Sequence, residues 1–556
     1  MVKEEIQTIV EAVVRELGLD AGTPVLIEAP RDRTHGDFST NIALLLAKRA
    51  GRLPQELARE IAARLSERTD LHATVTLAGP GFINFKLQEG SAGRALAGLL
   101  RRGMQPGCSE TGAGLKMQIE FVSANPTGPL NVVSARAAAY GNTISRMLRA
   151  AGFDCATEFY VNDAGRQVEL LGGSVKARYV ELHGGAEPVP EGGYQGDYVR
   201  DLAARVPEAQ AHDWLAQPQE ACWRGFGGFA VERVLESQKA DLAKFGVVFD
   251  RWFRESELHR DGRVLGALEA LDASGQVYLH EGAKHFRTTK WGDDKDRVVV
   301  RSDGTPTYFL ADAAYHRDKH ARGYARVIDV WGPDHHGHIP RMQAVARALG
   351  YPEDWLEVVI IQWVKLIESG RAVKMSKRAG QLVTLADLIA EVDPDVTKYF
   401  FLMRHQSSHL DFDLGLALQT TDENPVYYVK YAHARICAVI AKAAAEGLRF
   451  AAPGEAGPKP EEAPLDRLVQ PEETELVKML CDFPGFVARA AVAREPHRLT
   501  GFCEDTARAF HRFYHEHRIL QEDRVLAEAR LALCHATRRV LAHALELMSI
   551  TAPESM

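Results

Sequence analysis

The chain has 556 residues, with 67 Lys plus Arg against 75 Asp plus Glu, a formal net charge of -8, and 46% hydrophobic and 26% charged residues. At roughly 100–200 residues per domain this length implies about three domains, and the composition excludes a disordered chain, a collagen-like repeat and a disulfide scaffold. The acidic total also argues against a nucleic-acid partner, because phosphate binding rests on Lys and Arg.

The opening MVKEEIQTIVEAVVRELG reads as an amphipathic helix over 3–17, with Ile6, Ile9, Val10, Val13 and Leu17 in one stripe and Gly18 as its stop, rather than as a secretory signal. A second helical stretch covers about 40–65. A strand pair follows in HATVTLAGPGFINFKL, turned at Gly79-Pro80-Gly81. Residues 101–114 read as a linker. From residue 116 strands alternate with helices. The strand KMQIEFVS (116–123) leads through a Pro/Gly loop into VVSARAAAYGNTISRMLRAAG, and ATEFYVNDAG begins a second unit. YARVIDVWGPDHHGHIPRMQAVARALG repeats strand, loop and helix, and WLEVVIIQWVKL adds one more strand. This alternation predicts an α/β, doubly wound parallel sheet of Rossmann type. An insertion occupies about 180–290. After about 420 the strands stop, and helices run to the end: Asn424 and Pro425 start one of them, and Leu526, Leu533, Val540 and Leu547 form a heptad-like stripe. The expected division is an N-terminal α+β module (1–110), an α/β domain (111–419) and a C-terminal all-α helical bundle (420–556). The seven cysteines include no C-x-x-C pair and read as reduced thiols. No segment approaches the ~20 apolar residues of a membrane span. No membrane partner is expected, and the cytoplasm is the expected location.

Two segments carry chemistry. NPTGPLNVVSAR (125–136) lies between a strand and a helix, where the first turn of a helix offers N–H groups to phosphate, and Asn131 and Ser134 are short donors. RAVKMSKRAG (371–380) places Arg371, Lys374, Lys377 and Arg378 together without an acid, a local anion site in an acidic protein. Taken alone, the first can be an ordinary turn and the second a solvated charge run. In WGPDHHGH, Asp334, His335, His336 and His338 invite a metal reading, but so short a loop can hardly aim four ligands inward, and no structural zinc is expected.

The pairing of a phosphate turn after the first strand with K-M-S-K after the last is the signature of class I aminoacyl-tRNA synthetases. NPTGPLNVVS resembles their HIGH element, and KMSKR their KMSKS loop. HGDFSTNIA (35–43), FYVNDAGRQ (159–167), RVVVRSDGTPTYFLADAAYH (297–316), WGPDHHGHIPR (331–341) and NPVYYVKYAHARI (424–436) resemble arginyl-tRNA synthetases. The HIGH element departs from the family, with Asn131 and Ser134 at its two histidines and Val133 at its glycine, which leaves open whether ATP binding is weakened there.

The resemblance implies ATP, with Mg²⁺ on its phosphates, L-arginine and tRNA(Arg) as ligands, and a monomer. It implies catalytic roles for Lys374, Lys377, Asn131 and Ser134, and ATP contacts from Gly332, Asp334, Asn131, Ser134 and Met375. Arginine would be met by Asn125, Glu255, Tyr308, Asp312 and His336. Tyr308 and Asp312 stand four apart, on one face if the segment is helical, and carboxylates suit a planar guanidinium. By the same resemblance the N-terminal module binds the tRNA D-loop; Phe82 and Asn84 share a strand face there, an aromatic to stack a base and an amide to read its edge. Tyr428 and Tyr431 are candidates in the anticodon-binding bundle. Local basic surface then replaces net charge as the guide to a nucleic-acid partner. A catalytically impaired tRNA-binding paralogue and another class I nucleotidyl transferase stay open as alternatives.

Overall fold

The computed structural model describes residues 2–19, 22–28, 30, 32, 35–88, 90–101, 107–368, 371–372, 383–451 and 457–556. The N-terminal module holds its own core, in which Ile6, Val10, Val13, Leu46, Leu57, Ile61, Ile83 and Phe85 pack together. Its helix Val2–Glu16 matches the amphipathic stripe. The single helical stretch expected over 40–65 is two helices, Ile42–Ala50 and Pro54–Ser66. Gly51 takes a left-handed φ of 62° to end the first, and Pro54 sits at the first position of the second. The strands Ala73–Ala78 and Phe82–Leu87 pair antiparallel, and a strand not foreseen, Phe38–Thr40, covers the other edge of Phe82–Leu87.

The catalytic part is built on five parallel strands in the spatial order Leu356–Ile360, Arg326–Trp331, Lys116–Glu120, Asp154–Val161, Arg251–Arg254. Strand order therefore reverses between Lys116–Glu120 and Arg326–Trp331, and the crevice beyond their carboxyl ends is where an open α/β sheet takes its ligands. The apolar run 355–366 is not one strand. Leu356–Ile360 belongs to the large sheet, whereas Val364–Glu368 pairs parallel with Leu410–Asp413 in a small separate sheet. The break is held by Arg136, 1% exposed, whose guanidinium donates to the carbonyls of Gln362 (2.8 Å), Ser408 (2.9 Å) and His405 (3.1 Å). The insertion contains helices Asp197–Ala204, Glu208–Leu215 and Gln219–Lys244. An antiparallel sheet of Val277–His280, Ala283–Phe286 and Arg297–Val300 was also not foreseen, its strands being short and interrupted by charges.

The long C-terminal helices Pro425–Ala445, Pro471–Val492, His497–Glu516 and Arg524–Leu547 form the bundle. Leu533, Val540 and Leu547 of the heptad stripe are buried, whereas Leu526 is half-buried. The bundle shares one apolar core with the helix Val132–Ala150, through Ile144, Met147 and Leu148 on that helix and Leu480, Val487 and Leu499 on the bundle. Tyr140 donates to the Arg494 carbonyl at 3.0 Å, and Asn142 to Ser549 Oγ at 2.8 Å. The helix Ser91–Arg101, within the expected 1–110 unit, also packs into this larger core, with Gly93 directly against the Leu465 backbone.

Candidate active site

The loop leaving Lys116–Glu120 turns into the crevice through Val122 and Ser123, whose φ values of 70° and 40° lie in the left-handed region that a β-branched residue adopts only under strain. Ser123 Oγ fastens the turn, donating to Glu120 Oε1 at 2.8 Å and accepting from the Tyr160 N–H at 3.1 Å. Further along, Asn125 is exposed and its carbonyl accepts from Gln238. Asn131 caps the helix Val132–Ala150, its Oδ1 accepting from the N–H groups of Val133 (3.0 Å) and Ser134 (2.9 Å). Asn is among the best capping residues, so the altered HIGH element begins a well-terminated helix. Two first-turn donors that the sequence suggested would be free for phosphate are satisfied by the protein itself. Thr384 bridges to Asn131, and the Leu385 N–H donates to the Leu130 carbonyl at 2.7 Å. Lys374, Met375, Lys377 and Arg378 lie outside the described residues, while Arg371 is exposed.

Across the switch point, Arg326–Trp331 runs into Gly332 and a 3₁₀ turn, Pro333–His338. Gly332 faces open space where a Cβ would stand, and Asp334, His335 and His336 are exposed. Among the described residues no group of three or more His, Cys, Asp or Glu is placed to hold a metal ion. His338 turns the other way, its Nε2 2.9 Å from Asp312 Oδ2.

Asp312 lies on the helix Tyr308–Ala321, in line with His316 and Lys319. That helix is anchored from below. Lys319, fully buried, donates to Glu120 Oε2 and Asp329 Oδ1 at 2.6 Å each, and His316 Nε2 is 2.8 Å from Asp329 Oδ2. Burial alone would raise the Asp329 carboxyl, but the charges of Lys319 and His316 outweigh it and hold it at about 2. On the neighbouring strand, Tyr315 and Arg322 hold Glu158. Above this layer, Glu255 is 4% exposed and accepts from Tyr160 OH at 3.0 Å, with His259 Nε2 at 3.4 Å. Burial raises the Glu255 carboxyl; the Tyr160 hydrogen bond opposes that, and the nearby Asp312 charge adds to it. Among the described residues no Lys or Arg pairs with Glu255 or Asp312. Tyr308, exposed at the rim, lies against Gly165: its hydroxyl is 2.9 Å from where a Cβ would stand, and a φ of 84° also favours glycine there.

The structure thus brings Glu255 near Asp312, which shares a helix with Tyr308, and places Asn131 and Ser134 after one of the two strands at the sheet's switch point and Gly332 and Asp334 after the other. Phe82 and Asn84 lie on the strand of the separate N-terminal module whose Ile83 and Phe85 enter its core; Phe82 is 38% exposed and Asn84 only 3%. Sequence reasoning missed Tyr160, Arg136 and His338, and the buried Lys319 layer. The spacing of Asp312, His316 and Lys319 on one helical face was the available signal for that layer.

Three family models match the chain. The arginyl tRNA synthetase N terminal domain covers 4–87, the class I (R) tRNA synthetase catalytic domain 98–399, and the DALR anticodon binding domain 429–556. The chain is 46% identical over 544 residues to a protein of Moorella thermoacetica named arginine–tRNA ligase, covering 97% of this chain and 95% of that one. A Bacillus subtilis protein of the same name is 42% identical over 560 aligned positions, covering 100% and 98%. Among solved structures, one described as a putative arginyl tRNA synthetase of Campylobacter jejuni is 30% identical, with a TM-score of 0.76 over 84% of this chain and all of that one. The arginyl-tRNA synthetase of Thermus thermophilus, 22% identical, superposes over the full length of both chains with a TM-score of 0.77 and shows the shared fold.

Proposed function

Because the chain belongs to the arginyl-tRNA synthetase family, we propose that Glu255 and Asp312 hold the substrate guanidinium while Asn131, Ser134, Gly332 and Asp334 hold ATP. The activity is that of an arginine–tRNA ligase: arginine is activated with ATP and transferred to tRNA(Arg).

The observation that carries the residue assignment is a pair of carboxylates that meet histidines but, among the described residues, no Lys or Arg. Glu255 is buried, faces Asp312, and lacks a Lys or Arg partner among the described residues. A buried carboxylate without a cation is costly, and a planar guanidinium with its fork of donors answers two carboxylates better than an ammonium does. Tyr308 at the rim flanks the cation, and Asn125 and His336 meet the amino acid end.

In the first step an oxygen of the arginine carboxylate attacks the α-phosphorus of Mg²⁺-bound ATP, and pyrophosphate leaves. A hydroxyl of the terminal tRNA adenosine then attacks the activated carbonyl, releasing AMP. The carboxylate is already ionised, so the protein's work is in-line positioning and charge stabilisation, with Lys374, Lys377 and Met375 assigned to the triphosphate side.

For tRNA, exposed Phe82 is assigned to the D-loop, whereas the Asn84 amide expected beside it is buried and has no edge free to read a base. The bundle offers a cavity of about 400 Å³ lined by Tyr431, Arg435, Lys442, Tyr514 and Met556. Arg435 stacks 4.8 Å from the Tyr431 ring and 5.4 Å from that of Tyr514, a platform for an unstacked base. The division near residues 110 and 420, a monomeric state and a cytoplasmic location complete the reading. The match of three separate models along the chain supports the division. No helix among the described residues is long and apolar enough to cross a membrane.

Arginine-dependent pyrophosphate exchange with tRNA present tests the assignment. Asp312→Ala and Glu255→Gln should each raise the arginine KM by more than tenfold, and unchanged arginine kinetics in either would remove that residue from the site.

A further inference from the structure

Among the described residues, the Asp312 carboxylate has one hydrogen-bond partner, His338, whose Nε2 stands 2.9 Å from Oδ2. The ring is held in place: it meets Phe309 edge-on at 6.3 Å and lies 5.6 Å from Trp331. Its backbone closes the Pro333–His338 turn, with Pro340 two residues on, so the surrounding chain has little freedom. Asp312, by contrast, stands on a helix fixed along its length by buried Phe309, Leu310, Ala313 and Lys319, but its own side chain is half-buried and, among the described residues, its carboxylate meets His338 alone. An ionised carboxylate presents about four lone-pair directions. A donor fixed on Oδ2 leaves Oδ1 whole and sets the plane in which a two-pronged cation must approach.

We propose that His338 is a positioning residue for arginine recognition: its Nε2–H orients the Asp312 carboxylate toward the guanidinium. This rests on the reading of Asp312 as a guanidinium acceptor. A ring that merely filled the space between Phe309 and Trp331 would be served as well by Phe, which has no donor. Gln has less bulk but keeps an N–H at similar reach.

The test is steady-state pyrophosphate exchange with tRNA present, on full-length His338→Phe, His338→Gln and Asp312→Ala proteins, with arginine and ATP varied separately. A charge-assisted hydrogen bond of ordinary strength corresponds to about a tenfold effect. His338→Phe should raise the arginine KM about tenfold and leave the ATP KM within about twofold, while His338→Gln keeps the arginine KM within about threefold. Equal arginine KM values in the two His338 variants, or an equal rise in both KM values for His338→Phe, would overturn the proposal, since either means that the ring only braces the turn. His338→Met replaces the Phe variant if thermal unfolding shows that the latter does not fold. A normal arginine KM in Asp312→Ala defeats the underlying reading. A large rise there beside a normal His338→Phe defeats this proposal alone.

Discussion

Replacing Arg136 by Met should unfasten the nucleotide side of the catalytic domain without touching any substrate. The guanidinium is buried and makes three hydrogen bonds to main-chain carbonyls, of Gln362, Ser408 and His405. At about 1.5 kcal/mol for each bond from a charged donor, their loss amounts to ~4–5 kcal/mol. Relief of the guanidinium's desolvation offsets part of this; burial already pushes its pKa down to about 10, still well above neutrality. A net loss of about 3–4 kcal/mol is therefore expected in Arg136→Met, and about half of that in Arg136→Lys, whose ammonium cannot span three acceptors. Urea unfolding followed by tryptophan fluorescence is the assay, with Trp363 beside the broken contact as a local reporter. Because Arg136 stands one turn beyond Asn131, the ATP KM should rise as well. A Met variant within about 1 kcal/mol of the parent protein would refute the reasoning, as would full recovery in Lys.

Asn131→Ala should cost about 1 kcal/mol through the lost helix cap. Asn131→Asp should keep that stability while raising the ATP KM, because it sets a negative charge against the phosphates; thermal unfolding and exchange kinetics separate the two effects. Tyr160→Phe removes a hydrogen bond that favours ionised Glu255, so its already raised pKa should rise further, and the acid limb of kcat/KM for arginine should move to higher pH. Asp329 is held at about 2 against an ordinary 3.8. Its contribution is fully present above about pH 3.8 and is lost as pH falls toward 2, a loss of ~2 kcal/mol that acid unfolding should register and Asp329→Asn should lack.

The parallel sheet was legible because strand and helix periods alternate cleanly from residue 116 onward, and because the Asn131 and Lys374 segments flank that alternation. Tyr308 and Asp312 were legible as a spacing of four, and they do share a helix. The break at 361–363 was not, because the single polar Gln362 between apolar neighbours carries no trace of Arg136, more than two hundred residues away in sequence. The short strands of 277–300 hid among charges such as Lys284 and Asp293. His338 entered only as one of four residues in a rejected metal cluster; its partner Asp312 is 26 residues upstream on another element, a relation that no local pattern encodes. The Asn131 cap was half legible, as a short polar residue before a helix, though its oxygen serves the helix rather than a phosphate.

The helix Val132–Ala150 begins at the ATP side of the crevice and is then roofed by the C-terminal bundle, through Ile144, Met147 and Leu148 and the Tyr140 and Asn142 hydrogen bonds. The bundle is therefore not an exchangeable cartridge. A chain cut near 420 would leave an apolar flank of its own catalytic helix in water, so grafting another anticodon reader onto this body requires rebuilding the underside of that reader to fit the helix as well as changing its RNA-facing surface.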